Sequence, residues 1–211
     1  MPWLRRGRRE ERGASRADGP AAASQEDTAT SLPRVEDPLS YLLAAAAECR
    51  SDTLLVSGPI GSGKTKAASA LVEDLRRCGV SVGGILAPRV MEDSHTTGYD
   101  LLDVASGRRV RFLRSQPPGS EVGRFFLDPA AVSFGRRAIL TDLHPGAVSF
   151  VDEVGRLELN GGGHEAAVRR ALDAGGVVVL AVRTPLVAEV VRHFALAHVA
   201  EYRVAGAQLD D

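Results

Sequence analysis

A short apolar run, Thr53-Leu54-Leu55-Val56, breaks at Ser57 into a glycine-rich loop that ends in Gly63-Lys64-Thr65. Gly58, Gly63, Lys64 and Thr65 satisfy the spacing G-x-x-x-x-G-K-[ST], and Gly61 adds a further glycine. Such a loop has a use only between a buried strand and a helix, and both neighbours read that way. Leu54–Val56 is the strand. Lys64–Arg77 places Ala67, Ala68, Leu71, Val72 and Leu75 on one helical face, and Gly79 stands where a helix end takes a left-handed residue. The glycines let the backbone aim successive N–H groups at a polyphosphate, and the opening helix adds its positive dipole end. On this reading Gly58, Pro59, Ile60, Gly61, Ser62, Gly63, Lys64, Thr65 and Lys66 form the phosphate cradle. The Lys64 ammonium reaches the outer phosphates, and the Thr65 hydroxyl is a ligand for Mg²⁺. Among 26 Lys plus Arg the only lysines are Lys64 and Lys66. Arginine has replaced lysine everywhere except where a compact point charge must meet phosphate.

The rest of the chain reads as one α/β domain. At 211 residues, 44% hydrophobic and 25% charged, it is long enough for a core. The net charge of −1 gives no case for a nucleic-acid or membrane partner. No apolar run approaches the length of a membrane span, and Cys49 and Cys78 have neither metal-ligand nor disulfide spacing, which points to a reducing cytoplasm. Residues 1–35 are rich in Arg, Glu, Ala and Ser and read as a disordered tail, leaving 36–211 as the domain. Asp37-Pro38 starts a helix that ends near Arg50. Residues 81–90 read as a strand broken by Gly83 and Gly84. Residues 98–104 and 108–114 flank Ala105-Ser106-Gly107 as a β-hairpin, 115–121 is a loop, and 123–127 is a short strand. A helix follows Asp128-Pro129. Strands at 147–152 and 176–182 alternate with helices at 164–174 and after Thr184-Pro185, and 201–204 closes the sheet. This alternation implies a mostly parallel sheet flanked by helices.

Two acids, Asp152 and Glu153, end the apolar strand that begins at Ala147. Adjacent carboxylates at the tip of a buried strand are costly unless a cation and a water use them. Asp152 pairs with Thr65 as the metal acid, and Glu153 orients or deprotonates a water attacking the terminal phosphate. Arginine is wanted near the charge that builds there. The candidates are Arg183, Arg156, Arg124 and Arg89, and Arg183, at the end of a core strand, is the first choice. Lys64, Glu153 and Arg183 are thus the expected catalytic residues. The histidines form no metal-ligand pattern and read as loop or surface residues, while Tyr99 and Phe125 read as core.

These blocks together resemble the THEP1-type nucleoside-triphosphatases, the family that includes the cancer-related NTPase of animals. The resemblance rests on VGGILAPRV, TGYDLLDVASG, VGRFFLD and above all VDEVGRLEL at Val151–Leu159, and it spans about Thr53 to Val204. It implies a P-loop fold related to RecA-like ATPases and Mg²⁺-dependent hydrolysis of the terminal phosphate of ATP, GTP and other nucleoside triphosphates. It also places Arg156 at the family's basic position and Glu158 at its second acid. Met91 and Glu92 stand where the family usually carries a basic residue, and the histidine often found after the 176–182 strand is missing. Two other readings stay open from the residues. One is a nucleotide-dependent switch that binds a protein partner. The other is a small-molecule or nucleotide kinase, for which Gly107–Arg114 is the only candidate arginine-rich lid. A monomer or weak oligomer is expected.

Overall fold

The computed structural model describes residues 31–205. Most of the expected tail, residues 1–30, lies outside the described residues. Pro33–Val35, also assigned to that tail, hydrogen-bond through their backbone to Glu201 and so extend the sheet edge.

Helix α1 (Pro38–Ala47) starts as its sequence directs: Asp37 accepts from the Ser40 N–H at 3.1 Å, and Pro38 holds the first helical position. Strand β1 (Thr53–Gly58) leads through the glycine loop into helix α2 (Lys64–Arg77). The remaining strands are β2 (Val82–Leu86), β3 (Arg89–Glu92), β4 (His95–Asp103), β5 (Arg109–Arg114), β6 (Ser120–Val122), β7 (Phe125–Leu127), β8 (Val148–Val154), β9 (Val177–Arg183) and β10 (Val199–Arg203). Helices α3 (Pro129–Ile139), α4 (Arg156–Leu159), α5 (Glu165–Asp173) and α6 (Val187–His193) complete the domain.

The ten strands of the described residues form one mixed sheet, ordered β10-β1-β9-β8-β2-β4-β5-β7-β6, with β3 paired to β4. The first five are parallel, as the alternating pattern requires. The rest are antiparallel. The expected β4–β5 hairpin is present as part of a five-stranded wing. One further hairpin, β3–β4, turns at Asp93 and Ser94, both at positive φ (45° and 65°). That backbone suits a tight two-residue turn but lacks the usual Asn-Gly signature, so the sequence hides it. The Ser120–Val122 strand lies partly within the expected loop.

Gly83 and Gly84 do not break β2. A Cβ at Gly84, whose φ is +94°, would overlap the Phe150 carbonyl oxygen, so glycine lets β2 pack flush against β8. Side chains alternate across the parallel strands. Leu55, Val151, Val178 and Leu180 face the layer holding α3 and α5, while Leu54, Val56, Phe150 and Val179 face α1 and α2. Both faces are covered, so the parallel strands read as continuous apolar runs.

Candidate active site

The carboxyl ends of β1, β8 and β9 converge, which is where a parallel sheet opens a crevice. Gly58 and Arg183 are direct partners in the β1–β9 register. Strand β9 therefore stands between the phosphate loop and the acid pair, and its last residue reaches the gap between them.

Gly61 and Gly63 take left-handed conformations (φ 79° and 92°), which lets the loop curl before α2. Lys64 is buried, and its Nζ donates to the Gly58 carbonyl at 3.1 Å and the Pro59 carbonyl at 2.9 Å. Burial pulls its pKa down, while Glu153 and Asp152 push it back up and Arg183 and Arg89 lower it further. Glu153, Asp152, Arg183 and Arg89 are thus the charged neighbours of Lys64.

Asp152 is fully enclosed. Its Oδ2 accepts from the Ala87 N–H at 3.0 Å, and its Oδ1 is buried with no hydrogen-bond partner. Burial pushes its pKa up to about 6, partly offset by the Ala87 N–H. Repulsion from Glu153 adds to the rise, and the Thr65 hydroxyl opposes it. A buried carboxylate oxygen without a donor, beside a threonine hydroxyl and a polyphosphate cradle, fits the donor set of a hard divalent cation that keeps most of its coordination for water and phosphate. Among the described residues no cluster of three or more His, Cys, Asp or Glu forms a metal cage.

Glu153 differs from its neighbour. Its φ is +65°, and the β8–β9 register shifts between Val151 and Val154. This bulge turns Glu153 out of the strand alternation, so consecutive acids point to different places. Asp152 goes into the protein, and Glu153 goes to the crevice. Arg183 NH2 lies 3.8 Å from Glu153 Oε2, and Arg156 pairs instead with Glu189 at 3.5 Å. A left-handed glutamate is strained backbone of the kind kept at functional positions.

Two cavities meet here. One, about 380 Å³, is lined by Gly61, Gly63, Lys64, Thr65, Lys66 and Arg89, among others. The other, about 450 Å³, lies over α4 and the antiparallel wing. Ala87, Tyr99 and Glu153 line both. Tyr99 and Phe125, expected in the core, therefore border the crevice, in edge-to-face contact at 5.7 Å. Arg89 was one of four arginine candidates, and its guanidinium faces the phosphate cradle near Gly61. In the sequence it stood inside the expected 81–90 strand, whereas the structure ends β2 at Leu86 and opens β3 at Arg89. Ser69, Pro88 and Ala87 carried no sequence signal.

Glu158 is buried and holds structure. It accepts from the Gly155 N–H at 3.0 Å and the His164 N–H at 3.2 Å, closing the segment that follows the acid pair. His164, expected at the surface, is buried, with its pKa pushed down to about 4 by burial and by Arg136. An amphipathic helix start with polar flanks gave no hint that His164 packs beside Phe112.

Comparison with known proteins decides the family. A family model described as NTPase matches residues 53–207. The chain belongs to this NTPase family. Among the family's curated members, the THEP1 nucleoside-triphosphatase of Ignicoccus hospitalis is 37% identical over 106 residues, covering 50% of this chain and 60% of that protein. The THEP1 nucleoside-triphosphatase of Methanothermobacter thermautotrophicus is 32% identical over 134 residues, covering 61% and 75%. The cancer-related nucleoside-triphosphatase homolog of Bos taurus is 31% identical over 140 residues, covering 60% and 72%. The NTPase fold is shared with the human cancer-related nucleoside triphosphatase, at TM-score 0.55 and 22% identity over 74% of this chain and 89% of that one. It is also shared with THEP1 from Aquifex aeolicus, at TM-score 0.51 and 20% identity over 75% and 92%.

Proposed function

We propose that this NTPase hydrolyses the terminal phosphate of nucleoside triphosphates, ATP and GTP among them, to the diphosphate and inorganic phosphate. The observation that carries the proposal is the split between the two adjacent acids, one buried below the phosphate cradle and one turned by a strand bulge to face it beside Arg183.

The backbone N–H groups of the Gly58–Thr65 loop and the Lys64 ammonium hold the inner phosphates and fix the terminal one toward β8. Thr65 and Asp152 are the residues that would hold Mg²⁺, which when bound neutralises charge on the phosphate oxygens. Glu153 orients a water for in-line attack and accepts its proton. Arg183 and Arg89 supply positive charge where the terminal phosphoryl group gains negative charge. Arg183 also holds Glu153 in place. The arginine-rich stretch that could have served as a kinase lid, 107–114, supplies strand β5 of the sheet.

Among the described residues no helix is long and apolar enough to cross a membrane. The two free, exposed cysteines suit a cytoplasmic location, which belongs to the same proposal.

The test is phosphate release from a panel of nucleoside triphosphates with Mg²⁺, comparing the wild type with Glu153→Gln and Lys64→Ala. Release lost in Glu153→Gln with nucleotide still bound supports the assignment. Undiminished release in Glu153→Gln overturns the role of that acid, and a folded wild type that binds no nucleotide overturns the whole reading.

A further inference from the structure

The cavity of about 450 Å³ meets the phosphate cavity at Ala87, Tyr99 and Glu153 and extends from there over α4 and the antiparallel wing. In an in-line displacement the attacking water, the phosphorus and the leaving oxygen are nearly collinear. With Glu153 behind the water, the diphosphate and its nucleoside lie on the opposite side of the phosphorus. The space beyond Glu153 therefore lies outside the path of the nucleotide.

Its lining indicates what would fill it. Tyr99, Phe112 and Phe125 present aromatic surface, and Leu113, Leu157 and Leu186 complete an apolar floor. Three arginines, Arg124, Arg156 and Arg183, border it. Arg124 lies over the Phe125 ring at 4.8 Å, and no ion pair engages it among the described residues. Of the two acids present, Glu158 spends its oxygens on backbone N–H groups, and Glu153 faces Arg183. The result is an apolar, aromatic-lined cavity with one cation, Arg124, left without an ion-pair partner among the described residues at its mouth, since Arg156 pairs with Glu189 and Arg183 faces Glu153, in the size range of small-molecule sites.

We propose that this cavity is a second ligand site, for a small aromatic anion, adjoining the phosphate cavity at Tyr99 and Glu153 and coupled to it through the Glu153–Arg183 pair. The proposal rests on the hydrolytic reading of Glu153. The ring of the ligand lies among Tyr99, Phe112 and Phe125, and its anionic group is held by Arg124 with help from Arg183. An anion that draws Arg183 toward the slot removes positive charge from the terminal phosphate and loosens Glu153. Occupancy therefore lowers turnover without competing for the triphosphate.

A fluorescent aromatic sulfonate, 1-anilinonaphthalene-8-sulfonate, has this chemistry and serves as the probe. It is titrated into the full chain with and without a saturating non-hydrolysable triphosphate analogue and Mg²⁺. The expected result is one saturable site whose affinity the analogue leaves within about twofold. Arg124→Glu, an exposed charge reversal, weakens it at least about tenfold, and Val122→Trp, which fills the slot, abolishes it. Saturating probe lowers kcat for phosphate release with KM unchanged. Displacement of the probe by the analogue would assign the cavity to the nucleotide and overturn the proposal. So would absence of saturable binding, binding indifferent to both substitutions, or occupancy with unaltered kcat. Failure of the hydrolytic reading would show separately, as no phosphate release in the probe-free wild type.

Discussion

Glu153 combines the carboxylate proposed to activate water with a backbone conformation that only glycine adopts freely, and the two can be separated experimentally. Its φ of +65° sits in a bulge flanked by well-paired β8 residues, so the surrounding sheet imposes the conformation. The left-handed region costs an ordinary residue about 1–2 kcal/mol. Glycine escapes that cost but loses about 0.5–1 kcal/mol through its larger unfolded-state freedom. The side chain adds little, because its 3.8 Å contact with Arg183 is long and partly exposed on both partners, worth about 0–1 kcal/mol. Glu153→Ala and Glu153→Gly both remove the carboxylate and that contact, so these contributions cancel between them. What remains is the backbone difference, and Glu153→Gly is expected to be the more stable by about 1 kcal/mol, or about 2–4 °C in Tm for a domain of this size. Urea unfolding at constant m-value checks it in the absence of nucleotide. Both variants lose phosphate release by about 10²–10⁴-fold. An alanine variant as stable as the glycine variant, or more so, would refute the claim that the bulge strains residue 153.

Burial raises Asp152 to about 6 from 3.8, so the folded protein binds the proton more tightly. Stability from this group is present below pH 3.8 and is lost as pH rises through 6. Asp152→Asn is accordingly expected to stabilise the nucleotide-free protein at pH 7.5 by on the order of 2 kcal/mol, with the gain vanishing near pH 4, as read by denaturant melts across that range. The same substitution should abolish Mg²⁺-dependent phosphate release. His164 runs the other way: lowered to about 4, it stabilises the fold above pH 6.5 and loses that contribution as pH falls through 4. His164→Gln should therefore flatten the acid limb of the stability curve, and a limb identical to wild type would contradict the buried neutral imidazole. Lys64→Ala should weaken binding of a Mg²⁺–triphosphate analogue by about 10²-fold in calorimetry, the loss of a charge-assisted contact of about 3 kcal/mol. Gly84→Ala should cost more than about 3 kcal/mol or prevent folding, because its Cβ meets the backbone of β8 and cannot turn aside.

The phosphate loop was legible because its chemistry is contiguous. Glycines, a lysine and a threonine at fixed spacing between an apolar strand and an amphipathic helix leave few other uses. The acid pair was legible for a related reason, since charge at the end of an apolar run is conspicuous. The alternation of strands and helices gave the parallel half of the sheet, and Asp37-Pro38 and Asp128-Pro129 gave helix starts that the structure keeps. Other features depend on which segments meet. The β3–β4 hairpin turns on Asp93-Ser94, whose conformation is held by strand pairing and not by local preference. Tyr99 reads as core and Arg89 as one of four arginine candidates until the antiparallel wing folds beside the loop and carries both to the cavity at the glycine loop. His164 reads as a loop or surface residue and Glu158 is singled out only by the family resemblance, yet both are buried, and Glu158 closes the segment behind Glu153. The proposed phosphate cradle and acid pair could be read from the chain alone, because each is a contiguous run of residues with conspicuous chemistry. How Asp152 and Glu153 divide, the place of Arg183 between loop and acid, and the aromatic-lined cavity beside them could not be read that way, because each depends on strand order and a one-residue bulge.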